Sequence, residues 1–299
     1  MLKSLAFSLA AFTMAISAQA QSIPEGVYIR GSIQAEYLSD GTTNVTAGAA
    51  DIVLGYKASG VSSLPVGIEV GLYRFGTDSL SFDTVVTPVV FIDTQFGRFS
   101  AGTPRPALDD YIMQSRYANS VYWDLGLVGR SNLSYTDFAH KIIGAESSGV
   151  RFDGARGALR YGISAHRFTG LDLFTAAANY TIGQFVIAGG IEAAGVAASN
   201  GYYGSVHGNF GRFTGSVSVV RPIATSLTYS QVTGTYSTLA NLTLEVSHLV
   251  VSTGGFAVTN GSVKYGLPSG TYVGANVLSS AGSSPTFGVF AGWDFSHGG

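Results

Sequence analysis

Val27-Tyr28-Ile29-Arg30-Gly31-Ser32-Ile33-Gln34-Ala35-Glu36-Tyr37 decides the fold, because its character changes at every residue. Val27, Ile29, Ile33, Ala35 and Tyr37, with Gly31, form an apolar set; Tyr28, Arg30, Ser32, Gln34 and Glu36 form a polar one. An extended chain points successive side chains to opposite faces, so this is a strand with one apolar and one polar face. The pattern returns as Ile52, Leu54, Tyr56 against Asp51, Lys57, and as Val66, Ile68, Val70, Leu72 against Glu69, Tyr73. It recurs as Leu159, Tyr161, Ile163, Ala165 against Arg160, Ser164, His166, and as Leu242, Leu244, Val246 against Asn241, Thr243, Glu245, Ser247. Phe287, Val289, Ala291, Trp293 and Phe295 close the chain against Gly288, Gly292, Asp294 and Ser296.

A soluble sandwich alternates too, but its polar face collects Lys and Glu. Here that face is mostly Ser, Thr, Gly and Asn with isolated charges, as a lumen would be. Charged residues make up 11% of the 299, against roughly a quarter in soluble domains. No stretch beyond the N-terminal segment has the roughly 18 consecutive apolar residues of a spanning helix. With 40 Gly, 16 Tyr and 18 Phe, the composition points to the other structure that a bilayer tolerates, a closed antiparallel β-barrel. There is no cysteine, so an exported chain of this length must be held by a core or a closed sheet. A net charge of −2 offers no basic stripe for a nucleic acid.

Met1-Leu2-Lys3, the apolar run Leu5 to Ile16 and the small-x-small Ala18-Gln19-Ala20 read as a signal peptide over residues 1–20. The expected domain is then a single barrel over 21–299. Sixteen strands are expected at 26–38, 48–58, 65–75, 84–94, 97–103, 148–153, 157–167 and 172–182, then 185–193, 200–210, 212–221, 225–236, 238–249, 253–265, 269–278 and 286–296. The segments 225–236 and 253–265 alternate poorly, which leaves a count of 14 open. The breaks between strands repeat: Phe96-Gly97-Arg98-Phe99, Ile182-Gly183-Gln184-Phe185, Phe210-Gly211-Arg212-Phe213 and, more loosely, Tyr265-Gly266-Leu267-Pro268. Gly suits a tight hairpin and the flanking rings suit one membrane interface, on alternate connections.

One connection is different. Between Thr103 and Ser147, roughly forty residues lack alternation, far beyond an ordinary loop. They carry Leu108, Tyr111, Ile112, Met113, Tyr117, Val121, Tyr122, Trp123 and Leu125, a cargo that favours packing inside a lumen over an exposed lid. Asp109 and Asp110, ahead of Tyr111-Ile112-Met113, suit the first turn of a short helix.

Phe96-Gly97-Arg98-Phe99-Ser100-Ala101-Gly102-Thr103 resembles the strand before the third loop of the general bacterial porins, the outer-membrane channels of Gram-negative bacteria. Ser148-Gly149-Val150-Arg151-Phe152-Asp153-Gly154, followed by Gly157 to His166, resembles the strand pair after it. The resemblance covers the whole chain after residue 20 and rests on the order and spacing of weak motifs. It implies a homotrimer of 16-stranded, multi-pass barrels among outer-membrane lipids, passing small hydrophilic solutes and ions, with no cofactor. It also implies an inward loop at about 104–147 whose acidic residues face basic residues on the wall. Candidates on or beside the loop are Asp109, Asp110, Asp124, Asp137 and Glu146; wall candidates are Arg30, Arg151 and Arg160, with Lys57 and Arg98 nearer the ends. Such opposed charges would set up a transverse field in a narrow channel. The family usually ends on an aromatic residue, whereas Phe295 is followed by Ser296-His297-Gly298-Gly299, which bears on the assembly signal.

Other chemistry finds little support. An outer-membrane enzyme needs a base beside a nucleophile, and His140, His166, His207, His248 and His297 carry no accompanying motif or metal-ligand spacing. Gly189-Gly190 sits inside a strand, where no phosphate loop forms. A solute-selective channel with Tyr28, Tyr73 and Tyr203 as an aromatic slide is the runner-up. A structural or adhesive barrel is disfavoured by the short connections.

Overall fold

The computed structural model describes residues 25–58, 64–79, 83–112, 120, 122, 134–141, 143–195, 200–223, 227–238, 241–252, 257–280 and 282–298. The expected signal segment, 1–20, lies outside them. Sixteen strands follow one another: β1 Gly26–Ser39, β2 Asn44–Lys57, β3 Val66–Thr77, β4 Val85–Thr94, β5 Gly97–Gly102, β6 Ser147–Arg156, β7 Leu159–Phe168 and β8 Leu171–Ile182. The rest are β9 Phe185–Ala194, β10 Asn200–Phe210, β11 Phe213–Arg221, β12 Tyr229–Ser237, β13 Leu242–Val251, β14 Ala257–Gly266, β15 Thr271–Ser280 and β16 Thr286–Gly298. Each strand pairs antiparallel with its sequence neighbours, and β16 returns to pair with β1, so the sheet closes. The expected count of sixteen is borne out, and the two weakly alternating segments are β12 and β14. β2 starts four residues earlier than expected, because Asn44–Ala47 stay in register with Glu36–Ser39 of the long first hairpin.

Closure explains why the sequence alternates throughout. With the sheet closed on itself no strand is left as an edge, and one face of every strand looks inward. The polarity is inside-out. Val246 is 61% exposed whereas its neighbour Ser247 is fully buried; Ile33 is likewise exposed between buried Ser32 and Gln34. An apolar belt faces outward and hydroxyl, amide and charged groups face the lumen. Among the described residues no helix is long and apolar enough to cross a membrane; the strands are the elements of spanning length.

The start of β1, the end of β16 and the even-to-odd turns lie at one end of the barrel. There Phe96, Phe99, Ile182, Phe185, Phe210, Phe213 and Tyr265 are all exposed, and rings stack across strands, Phe99 on Phe152 and Phe213 on Tyr236 at 4.6 Å each. Trp293 donates from Nε1 to the Ser269 carbonyl at 2.9 Å. Gly183 and Gly211 adopt the positive φ that the tight turns demand. In the looser fourth copy that role falls to Gly270, since Gly266 is still the last residue of β14.

Candidate functional site

The third connection at the opposite rim, between β5 and β6, enters the lumen. Its first limb is a single helical turn, α1 Leu108–Tyr111, and its last is α2 Tyr135–Lys141. The reason α1 can lie flat on the wall is written in small residues. Leu108 and Tyr111 pack with Ala107 and Ile112 on Ala177, Ala188, Tyr203 and Val220. Gly162 and Gly190 stand under them, and a Cβ added at either would come within 2.5 Å of Tyr111 or Leu108 respectively. Glycine here is a matter of space. The Ala107 amide donates to Ser164 Oγ and Thr175 Oγ1, each at 3.1 Å, so the polar inner face of β7 and β8 receives the backbone of the loop.

Arg151 of β6 is the hub of this limb. Its guanidinium pairs with Asp110 and with Asp153, donates to the Arg105 carbonyl at 3.1 Å and to the Pro106 carbonyl at 3.3 Å. Tyr111 donates its hydroxyl to Asp153 at 2.8 Å. Burial raises the Tyr111 phenol above its usual range and the Asp153 charge pushes the same way, so it stays a donor. Arg105 reaches Asp51 on β2. Burial alone would lower the Arg105 pKa, but the Asp51 charge and hydrogen bond outweigh it and keep the guanidinium charged.

Two wall carboxylates hold further described points of the loop, Ser120, Tyr122, Tyr135 and Thr136. Glu36 of β1 accepts from Ser120 Oγ at 2.8 Å, from the Tyr122 amide at 3.1 Å and from Asn276 Nδ2 at 2.8 Å. Glu192 of β9 is fully buried and accepts from the Tyr135 amide at 2.8 Å, the Thr136 amide at 3.0 Å, the Thr136 hydroxyl at 2.7 Å and the Tyr203 hydroxyl at 3.1 Å. The first amides of a helix have no partner inside it, and a carboxylate there also meets the positive end of the helix dipole. At the far end of α2, Lys141 pairs with Asp137 at 2.8 Å and reaches Asp51 at 3.7 Å. His140 Nε2 lies 2.5 Å from Ser147 Oγ and its ring 5.8 Å from that of His166. Burial pushes the His140 pKa down to about 4, with Asp137 opposing and Lys141 adding to the shift.

Of the loop residues singled out from the sequence, Asp110 meets Arg151, Asp137 meets Lys141 of its own helix, Asp109 is buried on α1 and Glu146 is exposed just before β6. Asp124 lies outside the described residues. Of the wall bases, Arg151 meets the loop carboxylate Asp110. Arg30 pairs with Glu69 at 3.4 Å, Lys57 with Asp93 at 2.9 Å, and Arg98 with Asp93 at 2.6 Å; Arg160 is half-buried at the start of β7. Tyr28 donates its hydroxyl to Glu69 and Tyr203 to Glu192, and Tyr73 packs with Phe75. The residues missed are Glu36, Glu192, Asp153 and Arg105. Mid-strand inward parity marks the first three; nothing local marks Arg105.

A closed barrel of sixteen antiparallel strands, apolar outside and polar inside, with its third loop laid along the inner wall, defines the class: a porin-type barrel. No protein-family model matches the chain, and no curated protein matches it either. Among solved structures, a mutant of the Rh. blastica porin superposes with a TM-score of 0.69 at 14% identity, over 90% of this chain and 100% of that one. A triple mutant of the Rhodopseudomonas blastica porin gives 0.67 at 14% identity with the same coverage. A structure titled for the asymmetric conductivity of engineered proteins gives 0.66 at 13% identity, over 90% and 99%. The fold of this chain is the fold of these porins.

Proposed function

We propose that the chain is exported behind residues 1–20 and forms a water-filled channel in the outer membrane of a Gram-negative bacterium. Small hydrophilic solutes and ions cross it by passive diffusion, three copies assemble as a homotrimer, and the protein is a transporter with no catalytic role. One observation carries the reading: the barrel buries polar groups inward and exposes apolar ones outward, with a long loop held in its lumen. An enzyme would need a nucleophile–base pair; the nearest approach among the described residues, Ser147 with His140, is spent on docking α2. In this reading the loop residues Asp109, Asp110, Asp124, Asp137 and Glu146, with Arg30, Lys57, Arg98, Arg151 and Arg160 on the wall, set the charge of the constriction. Asp110 with Arg151 is the best supported part of it.

Purified protein in a planar bilayer tests this. Ohmic steps that scale with bulk salt are expected, arriving in threes for a trimer; absence of any conductance overturns the reading. Changing Asp109, Asp110 and Asp124 together to Asn should move the reversal potential in a salt gradient toward anions, and an unmoved potential would remove the constriction assignment.

A further inference from the structure

α2 is short, yet it is tied to walls on two sides of the lumen. Its first amides donate to Glu192 of β9. In its last turn Lys141 reaches Asp51 of β2 at 3.7 Å and lies over the Tyr73 ring of β3 at 5.1 Å. β2 and β9 stand seven places apart in a ring of sixteen strands, so they face each other nearly across the barrel. The helix itself spans about 10 Å, and with the side chains at its two ends it bridges these walls as a strap. Between the ends, Ala139 packs on Phe168 of β7 and Leu173 of β8, and His140 meets Ser147 at the start of β6.

The strap is fastened at a pair of buried imidazoles. His140 and His166 are 4% and 2% exposed, with their rings 5.8 Å apart and edge to face. The Phe168 ring lies 4.9 Å from that of His140. Hydroxyls are the ring partners, Ser147 for His140 and Ser164 for His166. His166 Nδ1 is buried without a partner, against Gly149, where an added Cβ would come within 2.9 Å of it. The charged groups around the pair are already engaged. On α2, Asp137 holds Lys141; on β2, Asp51 takes Arg105 and Lys141; on β6, Arg151 takes Asp110 and Asp153. Glu192 of β9 is bonded to the start of the helix, and Glu146, beside Ser147, is exposed. A proton added to either ring therefore charges a buried site whose nearest carboxylate, Asp137, is bonded to Lys141, and Lys141, Arg151 and the other imidazole oppose it. The site fits two neutral imidazoles, and histidine is the side chain whose charge changes most readily near neutral pH.

We infer that α2 is an acid-released strap: at neutral pH it narrows the lumen, and protonation of the His140–His166 pair frees it from the wall and widens the passage. The inference rests on the channel reading and names a regulation of that site. Its sign follows from burial: His140 takes its proton at about 4 when docked and at 6.5 as an ordinary imidazole, so acid favours the free strap. Docking at pH 4.5 is then weaker than at pH 7.5 by about two decades. Single-channel conductance in 1 M KCl, where charges are screened beyond about 3 Å, reads the width of the passage. From pH 7.5 to pH 4.5 it should rise about twofold or more in the wild type as the population shifts, and stay level in His140→Asn. A wild-type conductance that stays level or falls overturns the inference. So does a rise that persists in His140→Asn, which would assign the response to the carboxylates. Should that variant not fold, Ala139→Cys with Leu173→Cys allows α2 to be joined to β8 by a disulfide. The oxidised form should then ignore pH and the reduced form respond; a rise in the oxidised form overturns the inference. Absence of conductance at both pH values would sink the channel reading and this inference with it; conductance indifferent to pH would sink this inference alone.

Discussion

Replacing Glu192 with leucine should release α2 from the wall while leaving the barrel closed. The carboxylate accepts four hydrogen bonds, two of them from the Tyr135 and Thr136 amides at the start of the helix. A buried donor left unpaired costs about 1–3 kcal/mol. Against this, the wild type also carries the cost of holding a carboxylate away from water, so the sum is well below four full penalties. A net loss of about 3 kcal/mol in docking free energy follows from one or two such donors, or about a hundredfold in the docking equilibrium at tenfold per 1.4 kcal/mol. Amide hydrogen exchange reads it directly, because local opening sets the exchange rate. The Tyr135 and Thr136 amides should lose about two decades of protection, while the ladder amides of β8–β10 keep theirs. Glu192→Gln, which retains a carbonyl acceptor, should fall between. Unchanged protection at 135–136, or a loss spread equally over the sheet, would refute the view that this carboxylate anchors the loop independently of the barrel.

Two further outcomes test the same site. Gly190→Val would place its Cβ about where Leu108 Cδ2 and the Ala176 carbonyl already lie, at 2.5 and 3.0 Å; overpacking of this kind costs about 1–3 kcal/mol. Limited proteolysis should then cut within residues 104–112 several-fold faster than in the wild type, and equal cutting would show that the close approach is not needed. Acidification should weaken α2 docking through His140, whose pKa is about 4 when docked and 6.5 as an ordinary imidazole. The undocked loop binds the proton more readily, so docking is at full strength above about pH 6.5 and loses about 3 kcal/mol on the way to pH 4. Exchange at α2, corrected for intrinsic rates, checks it: His140→Asn should remove that pH dependence, and a variant as acid-sensitive as the wild type would assign the effect to other groups.

Alternation alone was enough to read the sheet, because a strand in a closed barrel faces two solvents and its sequence must answer both at every step. Val27–Tyr37 shows this, as does the pairing of Phe287, Val289 and Trp293 on one face. The Asp93–Arg98 pair was also within reach, since the two residues face each other across the Gln95-Phe96 turn. The inward docking of residues 103–112 and 134–141 could be anticipated from the length and aromatic content of the connection. Its anchors could not. Parity tells that Glu36, Asp153 and Glu192 point inward, but not which segment of loop arrives opposite them; that depends on barrel curvature and on where Gly162, Ala177 and Gly190 leave a trough. By itself, then, the sequence determined which strand face looks inside or outside and which connection is exceptional, since these are local consequences of a two-residue period; sixteen over fourteen was decided by the closed sheet, in which the weakly alternating β12 and β14 pair like the rest. Only the tertiary structure decided that Arg30 pairs with Glu69 and Lys57 with Asp93 while Arg151 takes Asp110, because these charge pairs join residues far apart in the chain.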